Sequence, residues 1–256
     1  MNAAKARIRE IEERGYNFTL GTYLERGLNI FGRQPGLFIA FTLVYMVIMG
    51  FSNIIPIVGP LVANLILSPC LMAGFYLVAR KIDSGEKYIE FGDFFKGFDY
   101  LGKLAAVAIL TSLILAASAI PLAFFGATIA YSFSFAVSYG DFSAFPFWIF
   151  LFLIPTIYLA ISYAAAPFFV VFYNMEGWEA MKASRKVISQ KWFTIFGFSI
   201  VLSLIAALGF VALFVGILAA VPIILCAEYA AFADIMKLDR LESDDDDDDE
   251  ILRHLV

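Results

Sequence analysis

Few side chains of this chain combine the types and spacing that catalysis or metal binding requires. Its only histidine, His254, lies close to the C-terminus, which leaves no imidazole for a Ser-His-Asp triad or a zinc-binding helix. Cys70 and Cys226 lie in long apolar stretches without neighbouring ligands, and we interpret them as small packing residues. The sequence therefore predicts no catalytic residue, no metal site and no cofactor, and we expect that the protein is not an enzyme.

The composition indicates that a lipid bilayer surrounds most of the chain. Of 256 residues, 61% are hydrophobic and only 16% are charged, whereas soluble domains contain roughly 45 to 50% apolar residues. Four stretches contain no Asp, Glu, Lys or Arg and exceed the roughly 18 residues of a membrane span; they run from Arg33 to Arg80, Lys103 to Asp141, Asp141 to Glu176 and Lys191 to Glu228. The predicted fold class is an all-α polytopic membrane bundle.

The first and last of these stretches are too long for one helix and must each fold back as a hairpin. Pro56, Gly59 and Pro60 predict the first turn, and Gly209 to Gly216 predicts the last. Six transmembrane helices result, near residues 37–55, 60–80, 104–126, 147–172, 193–213 and 215–235.

The distribution of basic residues predicts the orientation. Every Lys and Arg falls before the first span, between spans two and three, before span five or after span six. By the positive-inside rule, both termini are cytoplasmic. We expect the lipid bilayer, and a protein on the cytoplasmic face, as partners; nucleic acid is not expected, because the basic residues are spread along a membrane surface and the isoelectric point is about 4.9. The predicted cytoplasmic basic rim comprises Arg26, Arg33, Lys182, Arg185, Lys186 and Lys191.

Three amphipathic segments, 22–34, 89–101 and 178–191, each precede a span and are predicted to lie along the cytoplasmic interface. Thr22 and Glu25 have the spacing of a capping box, which would place Leu24, Gly27, Leu28 and Phe31 on one face of the first segment. A straight extension of the first span into the cytoplasm is the alternative, because Pro35 and Gly36 favour a bend without requiring one.

The same design recurs along the chain. Shifting the sequence by 157 residues pairs Ile30 with Val187 and Phe41 with Phe198, and after a short gap Pro69 pairs with Pro222 and Tyr76 with Tyr229. These matches predict parallel repeat units, 22–82, 88–173 and 178–236, about an axis along the membrane normal. The units compose a membrane domain, 22–240, between a cytoplasmic N-terminal segment, 1–21, and an acidic disordered tail, 241–256.

Two features of the charge pattern have more than one interpretation. The run of six Asp residues in the tail is typical of an extended, solvated segment, although it could also dock on the basic rim. Glu228 is the acid placed furthest inside an uncharged stretch, where a carboxylate costs roughly 2.5 to 3.5 kcal/mol. It forms, with Tyr229 and Tyr76, a candidate intramembrane polar site. We expect Glu228 to point inward, either as a structural group bonded to a basic side chain or a hydroxyl, or as a ligand- or proton-binding group.

Residues 176–235 resemble the closing half of a bacterial superfamily of six-helix membrane proteins that includes the membrane domain of glycerophosphoryl diester phosphodiesterases. The resemblance rests on an amphipathic helix with Ala and Ser, an aromatic residue at the start of a span, and a later Pro and Tyr; here these are Ala180, Ala183, Ser184, Trp192, Pro222 and Tyr229. Residues 59–98 resemble the front half of uncharacterised relatives. The resemblance implies the fold and a bacterial inner membrane, and it does not imply the activity of that enzyme.

Two classes of function fit these observations best. The first is a non-enzymatic membrane scaffold or interaction protein, because the spans contain few polar groups. The second is a transporter or channel for a small molecule or lipid, which the repeats and the prolines Pro121, Pro155 and Pro167 favour. A membrane enzyme is a third, weaker alternative. A continuous polar path through the bundle would indicate transport, and a core filled with Phe and Leu would indicate a scaffold.

Overall fold

The structure, a computed structural model, describes residues 2–86, 88–140, 147–211 and 213–238, and every regular element in those ranges is a helix. Asp141, Lys87, His254 and the acidic tail 241–256, which entered the sequence interpretation, lie outside the described residues. The twelve α-helices are α1 (Asn2–Arg14), α2 (Leu20–Arg33), α3 (Pro35–Ser52), α4 (Val58–Val62), α5 (Ser68–Asp83), α6 (Leu101–Phe124), α7 (Gly126–Tyr139), α8 (Leu153–Tyr163), α9 (Ala166–Tyr173), α10 (Gly177–Ser189), α11 (Trp192–Val211) and α12 (Leu213–Met236).

Three shorter elements extend these helices. A π-helical segment, Ala63–Leu67, joins α4 to α5. The 3-10 helix Phe91–Tyr100 leads into α6, and the 3-10 helix Phe147–Phe152 leads into α8.

Six helices within the described residues are long and apolar enough to cross a membrane, which confirms the predicted number of spans and the all-α class. In chain order they are span 1 (Pro35–Ser52), span 2 (Val58–Asp83), span 3 (Phe91–Phe124), span 4 (Phe150–Tyr173), span 5 (Trp192–Val211) and span 6 (Gly216–Met236). A helix must bond all of its backbone polar groups internally to cross hydrocarbon, and continuous apolar helices meet that requirement.

The spans alternate between the inside and the outside of the bundle. In the apolar windows of spans 2, 4 and 6, between 33% and 56% of the residues are buried, against 6% to 17% in spans 1, 3 and 5. The even-numbered spans therefore form an inner layer, and the odd-numbered spans present most of their side chains to the surroundings.

Each of three shorter helices packs along an inner span: two on the inner span that precedes them in the chain, and α2 on the last one. Helix α2 packs along α12, the 3-10 helix 91–100 packs along α5, and α10 packs along α9. Helix α1 adds Ala4, Ile8 and Ile11 to the main core and contacts α10 and α12. The first and last thirds of the chain are thus in direct contact through α2 and α12.

Helix α2 differs from the sequence prediction in its first residue and in the set of residues that it buries. It begins at Leu20 after the N-cap residue Thr19, so Thr22 is not the N-cap. Its buried residues are Tyr23, Gly27 and Ile30, whereas Leu28 is half exposed. The buried face is the one that contains Gly27, because a small residue lets two helices approach closely. A leucine that faces lipid costs little free energy, so Leu28 can stay outside.

The first part of span 3, residues 91–100, also differs from the predicted amphipathic helix. In an α-helix one face would carry Phe91, Phe94, Phe95, Phe98 and Leu101. Residues 91–100 instead form a 3-10 helix that buries Asp93, Phe94 and Gly97. With three residues per turn, positions i and i+3 align and the neighbouring phenylalanines move to the sides. A capping box joins Glu90 and Asp93 at its start.

The sequence interpretation placed no helix between residues 127 and 146, and the structure forms α7 there. Helix α6 ends at Phe124, shortly after Pro121, and α7 contacts α6. Its side chains are largely exposed, among them Tyr131, Val137 and Tyr139.

Candidate functional site

The polar residues of the inner layer meet where α5 faces α12. Tyr76 of α5 lies one turn before Arg80, and its hydroxyl donates a 2.9 Å hydrogen bond to Oε2 of Glu228 on α12. Tyr76 is buried, and Glu228 is partly buried. The structure thus brings two of the three predicted site residues into direct contact and gives the carboxylate a donor.

Tyr229, the third predicted residue, lies in a different environment. Consecutive residues of an α-helix point about 100° apart, so Tyr229 does not share the direction of Glu228. Its buried ring lies 5.8 Å from that of Phe172. Tyr229 therefore belongs to the aromatic packing of the bundle centre.

Aromatic rings fill the centre of the inner layer. The rings of Tyr76 and Phe168 lie 4.1 Å apart between centroids, and Phe168 lies 4.8 Å from Phe232, so spans 2, 4 and 6 are linked ring to ring. Phe232 also contacts Phe169 at 5.1 Å. We call this set the central aromatic cluster; its members are Tyr76, Phe168, Phe169, Phe172, Tyr229 and Phe232.

The polar side chains that are fully buried in the described part of the chain bond to their immediate neighbours. Thr42 and Ser162 each donate to the backbone carbonyl four residues earlier, Ser184 donates to the Ser162 carbonyl, and Asp93 pairs with Lys81 and Lys96. Each of these four side chains has a partner and they lie on different elements, so they do not form a continuous polar path; the buried Tyr173 hydroxyl has no hydrogen-bond partner among the described residues.

A small apolar cavity lies beside Glu228. It has a volume of about 100 Å³ and is lined mainly by apolar side chains, including Phe18, Ile195, Phe198 and Leu202. Glu228 contributes its one acidic group. Within the described residues, no three His, Cys, Asp or Glu side chains come together as metal ligands.

The predicted basic rim is divided between structural and exposed residues. Arg26 pairs with Asp83, with Nε 3.0 Å from Oδ2, and Arg33 donates a 2.7 Å hydrogen bond to the Ile82 carbonyl, so both attach α2 to the end of α5. Lys186 pairs with Glu12 at 2.9 Å, and Lys182 lies 5.4 Å above the Trp178 ring. Arg185 and Lys191 have no ion-pair partner within the described ranges.

Comparisons of the chain with models of protein families, with curated proteins and with solved structures find no match in any of the three.

At the end of the bundle that carries the basic rim, two contacts involve residues that the sequence analysis did not select. Tyr23 donates a 2.6 Å hydrogen bond to Asp234, and burial together with this carboxylate raises the pKa of Tyr23. Arg7 donates to the Ile235 carbonyl through both Nε and Nη2. Each contact joins residues more than 200 positions apart, and no local spacing in the sequence signals such a pair.

Proposed function

We propose that this chain is a non-enzymatic scaffold or interaction protein of a bacterial inner membrane, and that its cytoplasmic face binds a protein partner. The central aromatic cluster carries this proposal. Rings from all three inner spans fill the position that a transport path would occupy. A bundle whose centre is filled offers no path for a solute, so we assign its function to binding at its surface.

In the proposed orientation both termini are cytoplasmic. Ion pairs concentrate at one end of the bundle, where Arg26 meets Asp83, Lys103 meets Glu176 and Lys186 meets Glu12. Basic residues are retained on the cytoplasmic side of inner-membrane proteins, and this end carries them.

The architecture we propose is three hairpins, each preceded by an interfacial amphipathic helix and related by a pseudo-threefold axis along the membrane normal. The alternation of outer and inner spans supports it, and so does the packing of each short helix on the inner span of the preceding unit, with α2 on that of the last unit. Two of the pairs given by the 157-residue shift are alike in burial: Ile30 and Val187 are both 2% exposed, and Phe41 and Phe198 are both buried. Gln34, in a non-helical conformation, separates α2 from α3, which supports a helix that turns to lie along the interface.

The resemblance to the six-helix superfamily is part of this proposal. Its supporting residues take defined places: Ala180 and Ser184 are on the buried face of α10, and Trp192 begins α11. The superfamily assignment stays a prediction that rests on these residues.

Transport of a small molecule or lipid is the second candidate, and Glu228 is the observation that favours it. A partly buried carboxylate beside an apolar cavity is the kind of group that binds a proton or a cation inside a membrane. The scaffold proposal instead assigns the carboxylate a structural role as the acceptor of Tyr76.

A photo-crosslinking experiment in native membranes tests the proposal. A photoreactive amino acid replaces Arg185, which is exposed on α10, and as a control it replaces Ile120, which is exposed on α6. We expect discrete protein adducts from position 185 and none from position 120.

A flux measurement in reconstituted vesicles tests the alternative, transport. We expect vesicles that contain the protein to show no proton or ion flux above empty vesicles. Flux that Glu228→Gln abolishes, without protein adducts at position 185, would replace the scaffold proposal with the transporter.

A further inference from the structure

An open cavity of about 660 Å³ lies at the basic end of the bundle, apart from Glu228 and the central aromatic cluster. Helix α1, the turn at Gly15–Asn17, the start of α11 and the end of α12 form its walls. Its volume falls within the roughly 300 to 1,000 Å³ typical of ligand sites. The charged residues that line it are Arg7, Arg14, Lys191, Lys237, Glu10 and Asp234.

The two acidic residues of this cavity are already engaged. Glu10 lies 2.7 Å from Arg7 and 3.5 Å from Lys237, and the hydrogen bond and charge of Arg7 hold the pKa of Glu10 below its ordinary value. Asp234 accepts the hydrogen bond of Tyr23. Both carboxylates are therefore occupied by groups of the protein itself.

Two of the four cations remain without a counter-charge. Arg14 and Lys191 line the cavity, and neither has an ion-pair partner in the part of the chain that the structure describes. The cavity thus has four positive and two negative side chains, with the uncompensated charge on Arg14 and Lys191. Such an arrangement attracts an anion, and a guanidinium with an ammonium is a pair suited to phosphate oxygens.

The cavity lies at the ends of two spans, at the level expected for the membrane surface. Lys191 directly precedes Trp192, the first residue of span 5, and aromatic residues with basic neighbours mark the level of lipid headgroups. Lys237 follows Met236, the last residue of span 6. The cavity therefore lies where two spans emerge.

We propose that this cavity binds a phosphate group at the membrane surface through Arg14 and Lys191. The phosphate belongs to the headgroup of an anionic lipid or to a soluble phosphate ester. This site is independent of the scaffold proposal, since it requires only the charges and shape of this end of the bundle.

Thermal unfolding of the purified full chain in neutral detergent tests the site. The chain is titrated with phosphatidylglycerol, with zwitterionic phosphatidylcholine and with glycerol 3-phosphate. We expect phosphatidylglycerol to raise the unfolding temperature saturably and phosphatidylcholine to have no effect. If glycerol 3-phosphate is equally effective at a similar midpoint, the source is a soluble ester; if it is not, the source is the lipid.

Paired charge variants locate the site. Arg14→Gln with Lys191→Gln should raise the midpoint concentration about tenfold or more, as the loss of two charge-assisted hydrogen bonds predicts. The matched control, Lys182→Gln with Arg185→Gln, removes the same charge from α10 outside the cavity and should change the midpoint by no more than about twofold. The charge-conserving exchange Arg14→Lys with Lys191→Arg should retain the stabilisation and shows that the variants fold.

Three results would overturn the proposal. An equal rise of the midpoint concentration in the two pairs of Gln variants would show that the ligand is attracted diffusely to the basic surface. An unchanged midpoint in the Arg14 and Lys191 pair would show that the ligand binds elsewhere. No rise of the unfolding temperature with either phosphatidylglycerol or glycerol 3-phosphate would show that the cavity does not bind phosphate.

Discussion

Gly27 of α2 lies directly against Ala227 of α12, and a β-carbon added at Gly27 would stand 2.7 Å from the Ala227 α-carbon. The two helices cross here without an intervening side chain, as small residues permit in membrane proteins. At the crossing of α5 with the 3-10 helix 91–100 the two backbones are closer still, because a β-carbon at Gly74 would stand 1.8 Å from the Phe94 carbonyl oxygen and one at Gly97 2.0 Å from that of Cys70.

Gly27→Ala should destabilise the protein. The added methyl group meets backbone atoms that cannot move aside, so we expect a cost of about 1 to 3 kcal/mol, as in other overpacked sites. The control is Gly32→Ala in the same helix, where a β-carbon meets nothing within 4 Å and the better helix propensity of Ala leaves stability equal or slightly higher. Thermal unfolding in detergent measures both, and equal effects would contradict the close crossing.

The hydrogen bond between Tyr76 and Glu228 predicts different outcomes for its two partners. Tyr76→Phe removes the donor from a partly buried carboxylate and should cost about 1 to 2 kcal/mol. Glu228→Gln keeps an acceptor oxygen and should be nearly neutral. In the Glu228→Gln background, Tyr76→Phe should cost less, because no charge is left without a donor.

Tyr45→Phe is the matched control for this pair, since the Tyr45 hydroxyl makes only a long 3.3 Å contact with Ser68. Unfolding of the four variants in detergent measures the coupling. If Tyr76→Phe costs no more than Tyr45→Phe, Tyr76 does not stabilise the carboxylate.

Phe94 anchors the 3-10 helix 91–100 to spans 1 and 2. Its fully buried ring lies 4.3 Å from Phe41, 5.7 Å from Phe38 and 5.6 Å from Phe75. Phe94→Ala should therefore cost about 3 to 5 kcal/mol. Phe95→Ala, at a neighbouring position that is 37% exposed, should cost much less in the same unfolding experiment; a similar loss at both positions would contradict the 3-10 register.

Cysteine labelling tests the proposed orientation. In a chain with Cys70→Ala and Cys226→Ala, Ser138→Cys in α7 should react with a membrane-impermeant maleimide in intact cells. Ser189→Cys at the end of α10 should react only after the membrane is opened, because basic loops stay cytoplasmic. Both serines are exposed, so the reversed pattern would show the opposite orientation.

Hydropathy was sufficient to predict the six spans because each helix must satisfy its backbone within the bilayer. The first predicted span, 37–55, corresponds to Pro35–Ser52, and the fifth, 193–213, corresponds to Trp192–Val211. Most boundaries shift by a few residues, because prolines and turn residues permit an end at several positions. The third span is the exception: it was predicted to begin at residue 104, whereas the apolar helix begins at Phe91.

The contacts between spans could not be predicted in the same way. The repeat aligned Tyr76 with Tyr229 and Glu228 with Phe75, whereas the structure pairs Tyr76 with Glu228 across two inner spans. Which side chains meet depends on the rotation of each helix, and that rotation follows from close crossings such as the one at Gly27. An alignment of equivalent positions does not contain this information.

The contact of α2 with α12 sets an order of events during synthesis. Gly27 leaves the ribosome about 200 residues before Ala227, which at roughly 5 to 20 residues per second is about 10 to 40 s earlier. Throughout that interval the face of α2 with Tyr23, Gly27 and Ile30 lacks the helix that covers it in the finished protein. Spans 1 to 5 can insert one by one, but the bundle is complete only when span 6 has been made. A chain that ends just before span 6 would therefore leave the buried face of α2 exposed, although most of the protein is present.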